Sequence, residues 1–327
     1  MKKNSKILII SSCIAFFIIS LCLALFFGHT NLCIQDILDF ITGKNTDNVQ
    51  ILQLLRIPRV AKAIIAGSCL AISGMFMQTI TKNPLVEPYI TGVSSGAGIA
   101  LVIAILFGLN PAHYSFFAFI GALISSSIVI TFTGWNKFSL VKLILVGLAI
   151  NIFAGSVISA IILTHSEKTF SMMMILSGNL SSSVFVSKSV FIAYFFAMLA
   201  CVFMLPKLNF LRLDNNIVNA LNTNTNGYYI FFIILSSLLA ALSVCAAGIL
   251  GFVGILIPHI SKLLIGQDFR WLFFVNILLG SSIVLFSDFM ARSLIYPSEI
   301  PLGLILAFVG APIFICFLVF KGSKLYA

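Results

Sequence analysis

The sequence Arg56-Ile57-Pro58-Arg59 opens an apolar run that continues to Ile80 and stops before Lys82-Asn83-Pro84-Leu85. Residues 58–80 have the length of an α-helix that crosses a bilayer, which needs about 20 apolar residues. Proline fits the first turn of a helix, because the amide proton that it lacks would have no partner there. Arginines stand at one end of the run, and a proline-containing turn stands at the other. We therefore predict a membrane-spanning helix at 58–80 whose two ends carry different chemistry.

The composition extends this interpretation to the whole chain. Of its 327 residues, 60% are hydrophobic and only 9% are charged, and the mean hydropathy is +1.15. Soluble domains carry about 25% charged residues, so the chain is predicted to be an integral membrane protein. The net charge of +10 is then expected to reflect lysine-rich cytoplasmic loops rather than a surface for nucleic acid.

Apolar runs of similar length recur along the chain and predict an all-α polytopic membrane protein with about ten transmembrane helices. The first run follows three lysines and imitates a signal peptide, but it is too long for one and is expected to remain as a helix. The polar segment 28–55 is expected outside the bilayer, with a surface helix in part of it. The predicted spans are 7–27, 58–80, 90–108, 114–133, 139–163, 189–206, 228–247, 250–265, 271–289 and 301–320.

The distribution of basic residues predicts the orientation. An even number of spans places both termini on one side of the membrane. Lysines and arginines number twelve on that side and six on the other, so the positive-inside rule predicts that both termini are cytoplasmic. Arg56, Arg59 and Arg292 are exceptions to the rule, because this topology places them at or near the outer ends of their spans.

No motif predicts a catalytic residue. The phosphate-binding pattern G-x-x-x-x-G-K-[ST] is absent, so we do not expect ATP hydrolysis in this chain. Gly92-Val93-Ser94-Ser95-Gly96 matches the nucleophile elbow G-x-S-x-G, but that turn requires a preceding strand. The same residues match G-x-x-x-G, which favours close helix packing in lipid. Histidines and cysteines lack metal-ligand spacing, so we predict no metal site and no cofactor.

Ionisable residues are nearly absent from the middle of the predicted spans, which argues against an ion-coupled carrier. A translocation path is then expected to be lined by small, neutral or apolar side chains. Interhelical packing and hydrogen bonding are an equally good interpretation of the same residues. The candidates for the path are Ser68, Ser73, Met77, Gln78 and Asn151.

Two places are candidates for contact with other proteins. The outer arginines are suited to pairing with an acidic partner, although they are also long enough to reach lipid phosphates. On the cytoplasmic side, residues 214–226 predict a short helix that inserts into a partner, with an ordinary loop as the alternative. Its expected features are an N-cap at Asp214, an apolar face of Ile217, Val218 and Leu221, and a left-handed end at Asn222.

Three blocks of this sequence resemble the FecCD-type permeases of ABC importers, and they follow the order of that family across nearly the whole chain. The first joins the arginine motif to the turn and the glycine-serine cluster already described. The second runs from Gly248 through Gly251-Phe252-Val253-Gly254 to Pro258-His259. The third contains Asp288-Phe289-Met290-Ala291-Arg292, Glu299-Ile300-Pro301-Leu302-Gly303 and Gly310-Ala311-Pro312-Ile313-Phe314.

The resemblance implies one permease domain over residues 1–327, in the bacterial cytoplasmic membrane. It implies a second permease subunit (the same or a different chain), two cytoplasmic ABC ATPases and an extracytoplasmic substrate-binding lipoprotein. In the family, arginines at the positions of Arg56, Arg59 and Arg292 meet glutamates of the binding protein. The coupling helices correspond to about 213–226, where the implied ATPase contacts are Asp214, Asn215, Val218, Leu221 and Asn222. This sequence departs from the family pattern there, with Asp214-Asn215 in place of Gly-Glu and Asn222 in place of Gly.

The predicted function is the permease subunit of an ATP-driven importer for an iron–siderophore complex. Haem and cobalamin are the alternative cargoes within the family. A secondary carrier driven by an ion gradient is the alternative from another class of protein, and a membrane enzyme is disfavoured by the lack of a catalytic motif.

Overall fold

A computed structural model describes residues 3–134, 139–180, 188–211, 225–295 and 298–325, apart from His29, Asn31 and Asn45. Within these residues, all regular secondary structure is helical. The predicted ATPase contacts Asp214, Asn215, Val218, Leu221 and Asn222 lie outside the described part of the chain.

The described helices are numbered here in chain order. A π-helical turn, Leu52–Arg56, joins the third to the fourth, and 3₁₀ turns lie at Pro88–Thr91, Pro111–His113 and Ser166–Lys168. The α-helices are α1 (Lys3–Phe26), α2 (Ile34–Ile41), α3 (Asp47–Ile51), α4 (Ile57–Ile80), α5 (Val93–Leu106), α6 (Tyr114–Thr133), α7 (Leu140–Thr164), α8 (Thr169–Leu176), α9 (Lys188–Leu211), α10 (Thr225–Ala247), α11 (Val253–Ile265), α12 (Phe269–Ser293) and α13 (Leu302–Leu325).

Each of the ten predicted spans coincides with one of these helices. Among the described residues, seven helical segments are long and apolar enough to cross a membrane, and α5, α11 and the Leu302–Cys316 part of α13 are shorter apolar helices. The all-α membrane fold is therefore confirmed. The count of ten spans and the cytoplasmic position of both termini stay predictions.

Two helices begin later than the sequence predicts, at Val93 and Val253 rather than at 90 and 250. Each is preceded by residues with positive φ, at Gly92 (φ 78°) in one case and at Gly248 (φ 75°) and Phe252 (φ 68°) in the other. The residues just before these starts include the apolar Ile90, Ile249 and Leu250, so hydropathy does not reveal where each helix begins.

Side chains of the turn before α5 accept hydrogen bonds from backbone amides of the turn before α11. The Tyr89 hydroxyl accepts a hydrogen bond from the Leu250 amide at 3.1 Å, and the Glu87 carboxylate accepts one from the Phe252 amide at 3.2 Å. Pro88 lies against Gly254 at the start of α11. Non-helical backbone inside a membrane protein requires such partners, because lipid offers none. The contact thus joins the end of the α4–α5 connection to the α10–α11 connection.

The helix predicted from the opening stretch lies at the centre of the bundle. In the segment Asp47–Ile80, 83% of the most apolar window is buried inside the chain, and α4 packs against α10, α11 and α12. Gly67 contacts the backbone of Gly280 on α12, and Gly74 contacts that of Gly254 on α11. Small residues stabilise helix pairs in lipid because they let two backbones approach closely.

A methyl group at Gly74 is expected to destabilise the protein, because its Cβ atom would collide with the Gly254 backbone. We expect Gly74→Ala to lower the free energy of unfolding in mixed micelles by about 1–3 kcal/mol. The control is Gly155→Ala on α7, where no atom lies within 4 Å of the added Cβ. Alanine favours helix there, so that change is expected to raise the same free energy by roughly 0.5–1 kcal/mol. Equal effects of the two changes would contradict the proposed packing.

A second expectation concerns pH. Burial raises the pKa of Glu87 to about 7 from 4.5, although the hydrogen bond from Phe252 opposes the shift. A carboxyl group with a higher pKa in the folded chain binds its proton more tightly when folded, so its contribution to stability is full below pH 4.5 and is lost as the pH rises through about 7. We expect Glu87→Gln to lose less stability than the wild type as the pH rises from about 5 to about 8, which is roughly one unit above the pKa of the folded protein. Parallel pH profiles of the two thermal unfolding midpoints would show that Glu87 does not titrate in this range.

Candidate functional site

The three arginines singled out in the sequence meet at one end of the bundle, together with two carboxylates. Arg59 donates from Nε to Asp288 Oδ1 at 2.7 Å. Its two terminal nitrogens donate to the two oxygens of Glu299, each at 3.0 Å. Planar guanidinium groups match carboxylates in this two-bond geometry. Arg59 therefore connects the start of α4 both to α12 and to the segment before α13.

Arg292 shares the Asp288 carboxylate from the other side. Its Nε lies 3.1 Å from Asp288 Oδ2, one helical turn along α12. Its terminal nitrogens donate to the backbone carbonyls of Phe27 at 3.1 Å and Ala24 at 3.0 Å. Those carbonyls belong to the end of α1, where the helix has no amide to offer them. Asp288 is 2% exposed and Arg292 4% exposed, so the pair is desolvated.

Arg56 completes the cluster through backbone contacts. It donates to the carbonyls of Phe27 at 2.8 Å and Thr30 at 2.9 Å. Gly28 lies directly against the guanidinium groups of Arg56 and Arg292, where a side chain would collide with both. The turn after α1 is thus wrapped around two arginines. Cations at a helix C-terminus also interact favourably with its dipole.

The charges of this cluster do not cancel. Three guanidinium groups face two carboxylates, which leaves one positive charge among the residues named. The side chains of Arg59 and Glu299 are 14% and 21% exposed, whereas Arg56, Asp288 and Arg292 are buried. The part of the cluster that an external group can reach is therefore the Arg59–Glu299 pair.

Sequence analysis identified the arginines but not their carboxylate partners. Asp288 and Arg292 are four positions apart on one helix, a spacing at which opposite charges pair, so this contact was available from the sequence. The Arg59–Glu299 pair joins positions 240 residues apart and had no such local signal. Docking of an acidic partner on these arginines stays a prediction.

The candidates for a translocation path lie in helix contacts of the single chain. Ser73 donates to the Ser236 carbonyl at 2.6 Å, and Ser68 lies 3.0 Å from the Tyr194 hydroxyl. Asn151 donates to the Tyr89 carbonyl at 3.4 Å, and Met77 is fully buried. Interhelical packing, the alternative interpretation, accounts for these contacts, and the assignment to a path stays a prediction.

Gln78 has a specific role in packing. Pro258 has no amide proton, so the Gly254 carbonyl loses its partner within α11. The Gln78 amide donates to the carbonyls of Gly254 at 3.4 Å and Ile255 at 3.0 Å. Lys262 donates to Gln78 Oε1 at 3.2 Å, which orients the amide. Gln78 thus compensates for a proline in the neighbouring helix.

The fold and this site define a class, a polytopic α-helical membrane protein. In comparison with known proteins, residues 16–320 match the FecCD transport family. The chain belongs to this family. That membership confirms the resemblance and the prediction that the chain is an ABC transporter permease, a transport subunit rather than an enzyme.

Several relatives are similar over most of their length. The hemin transport system permease protein HmuU of Yersinia pestis is 33% identical over 271 residues, 80% of each chain. The Fe(3+)-citrate import system permease protein YfmD of Bacillus subtilis is 32% identical over 330 residues, 99% of this chain and 98% of YfmD. The vitamin B12 import system permease protein BtuC of Yersinia pseudotuberculosis is 33% identical over 275 residues, 83% of this chain and 82% of BtuC.

Solved structures support the same fold. A structure described as an inward-facing conformation of a metal-chelate type ABC transporter superposes with a TM-score of 0.81, at 28% identity, over 94% of this chain and 97% of the other. PsaBC from Streptococcus pneumoniae, solved in complex with Fab, superposes with a TM-score of 0.53 at 17% identity, over 88% of this chain and 99% of the other. At that identity the second match concerns the fold alone.

The arginine cluster is expected to be a strong contributor to stability. Asp288→Ala leaves the buried guanidinium group of Arg292 and the partly buried one of Arg59 without their shared carboxylate, and breaking a buried ion pair in this way costs about 3–5 kcal/mol. Asp39→Ala is the matched control, because Asp39 pairs with the exposed Lys44 at 2.8 Å and surface pairs contribute about 0–1 kcal/mol. Unfolding in mixed micelles measures both. A loss for Asp288→Ala no larger than for the control would show that the cluster does not hold the helices together.

Proposed function

We propose that this chain is the permease subunit of an ATP-driven importer for an iron–siderophore complex in the bacterial cytoplasmic membrane. Its partners are a second permease subunit, two cytoplasmic ABC ATPases and an extracytoplasmic binding lipoprotein. Family membership over residues 16–320 carries the importer class. YfmD, named for Fe(3+)-citrate import, supports the iron-chelate cargo because it aligns over 99% of this chain. Haem and cobalamin, the cargoes in the names of HmuU and BtuC, are the alternatives.

The proposed topology has ten spans with both termini in the cytoplasm. The ten apolar helices of the described chain and the excess of basic residues on one side support it. In this topology the arginine cluster faces outward and the Asn83-Pro84-Leu85 turn faces the cytoplasm. These are the two ends of α4, which is the most enclosed of the long helices together with α10.

The proposed cycle begins when the loaded binding protein docks on the outer end of the bundle, on the face that contains Arg56, Arg59 and Arg292. Closure of the ATPases then displaces the coupling segment at about 213–226. Packed helices move as rigid bodies, and the cavity between two permease subunits opens to the other side. The chain contributes the path and the mechanical connection, while bond cleavage takes place in the ATPases.

The predicted coupling segment is continuous in the chain with a helix that packs against α4. The coupling segment leads directly into α10, whose Ser236 contacts Ser73 at the centre of α4. At its far end α10 leads into the turn that Glu87 and Tyr89 hold. A displacement of α10 is therefore expected to act on α4 and on α11 together.

The experiment that tests this function is purification with the candidate ATPase and reconstitution into liposomes. We expect Leu221→Asp to release most of the ATPase and to abolish ATP-dependent uptake of ferric siderophore, because it puts a charge on the apolar face predicted for the coupling helix. Asn219→Asp is the matched control, since it adds the same charge outside that face, and it is expected to leave the complex intact.

Two outcomes would contradict the proposal. Uptake that follows an ion gradient without ATP would identify a secondary carrier instead. Full retention of the ATPase by Leu221→Asp would show that the coupling segment has been placed wrongly. Replacing ferric siderophore by haem or by cobalamin in the same liposomes distinguishes the three cargoes.

A further inference from the structure

We propose that Glu299 occupies on Arg59 the position that a carboxylate of the docking protein takes, so that docking exchanges an internal carboxylate for an external one. This inference rests on the proposed function, because it presupposes a binding protein with acidic docking residues. It adds a residue of this chain, Glu299, that competes with the partner.

The geometry of Arg59 leads to this exchange. A guanidinium group binds a carboxylate best when two parallel N–H groups meet its two oxygens. Glu299 already holds the terminal nitrogens of Arg59 in that arrangement, with both bonds at 3.0 Å. The remaining edge faces Asp288 through Nε at 2.7 Å. A partner carboxylate that binds the terminal nitrogens in the same way has to displace Glu299.

The two carboxylates differ in how easily they can leave. Asp288 is 2% exposed and lies within α12, where Arg292 holds its second oxygen at 3.1 Å. The Glu299 side chain is 21% exposed and belongs to the non-helical segment before α13. Nearby in that segment, Leu294 and Ile295 are 56% and 54% exposed. Glu299 is therefore the displaceable partner, and its carboxylate regains water when it leaves.

The exchange is expected to affect the bundle, because the residues after Glu299 form backbone hydrogen bonds with other segments. The Ile300 amide donates to the Ala291 carbonyl at 3.1 Å, and the Leu302 and Gly303 amides donate to the carbonyls of Gly178 at 3.0 Å and Ser177 at 2.9 Å. Release of Glu299 frees the segment that positions the start of α13 against the end of α8. Docking at Arg59 is thereby linked to two helices that the docking protein need not touch.

An internal competitor lowers the apparent affinity for the partner, because only the fraction of molecules with Arg59 open can bind it. We therefore expect Glu299→Gln to tighten docking. The change keeps the shape of the side chain but removes the ion pair. With a partly exposed pair contributing about 1 kcal/mol, the dissociation constant is expected to fall about 3- to 10-fold.

The test uses the full permease–ATPase complex in nanodiscs. The probe is the soluble part of the cognate substrate-binding lipoprotein, loaded with ferric citrate, and binding is measured by biolayer interferometry. Glu167→Gln is the matched control, because it removes the same charge from an exposed residue on the same predicted side that is not a member of the cluster. It corrects for the general attraction of an acidic partner and is expected to change the dissociation constant less than about 2-fold.

The outcomes separate the exchange from the function on which it rests. Tighter docking of Glu299→Gln than of Glu167→Gln supports the exchange. Equal or weaker docking of a folded Glu299→Gln complex overturns it and leaves the importer function standing. Failure of the wild-type complex to bind the probe contradicts the proposed docking and the exchange together.

A measurement on the wild type keeps the test independent of how the variant folds. We expect docking to increase deuterium uptake at the Ile300 amide, since release of Glu299 loosens its bond to Ala291. Unchanged or reduced uptake there, with docking confirmed in the same sample, would overturn the exchange.

Discussion

One carboxylate, that of Asp288, holds together an end of the bundle that would otherwise repel itself. Arg59 and Arg292 bind its two oxygens from different helices, and a buried charge is tolerated only when it is paired and hydrogen-bonded. With their charge compensated, the arginines are free to satisfy other groups. Arg292, with Arg56, holds the carbonyls at the end of α1. A single acidic side chain thus connects α1, α4 and α12, and through Arg59 the segment before α13.

Along the rest of α4, close packing of helix backbones takes the place of ion pairs. Lipid tails are as apolar as the side chains, so burial of apolar surface does not draw helices together as it does in water. Glycine pairs fulfil this role in α4, at Gly67 against Gly280 and at Gly74 against Gly254. The two kinds of contact act on different parts of α4. Ion pairs hold its first turn, and close backbone packing holds the rest of the helix against its neighbours.

Hydropathy was enough to predict the apolar helices, but not where two of them begin or how distant charged residues pair. Apolar runs located the apolar helices of the described chain, and the close packing expected at the glycine-serine cluster is observed where Gly96 meets the backbone of Gly121. The later starts at Val93 and Val253 were missed, because apolar residues such as Ile90, Ile249 and Leu250 lie in the turns just before them. The pairing of Arg59 with Glu299 was missed because it depends on tertiary structure, and no local pattern connects residues so far apart.

The contacts at the opposite end of α4 suggest how a displacement at the arginines would be transmitted along this helix. There Gln78 is held between the carbonyls of α11 and the ammonium group of Lys262, so α4 is fixed at both ends and enclosed between them. A helix packed in this way does not absorb a displacement by bending, because a close-packed interior transmits it. Changes in backbone angle are instead taken up at the ends of elements. In the described chain the turns before α5 and α11 lie at such ends, and the bonds from Leu250 to Tyr89 and from Phe252 to Glu87 join them, so a displacement of one turn acts on the other.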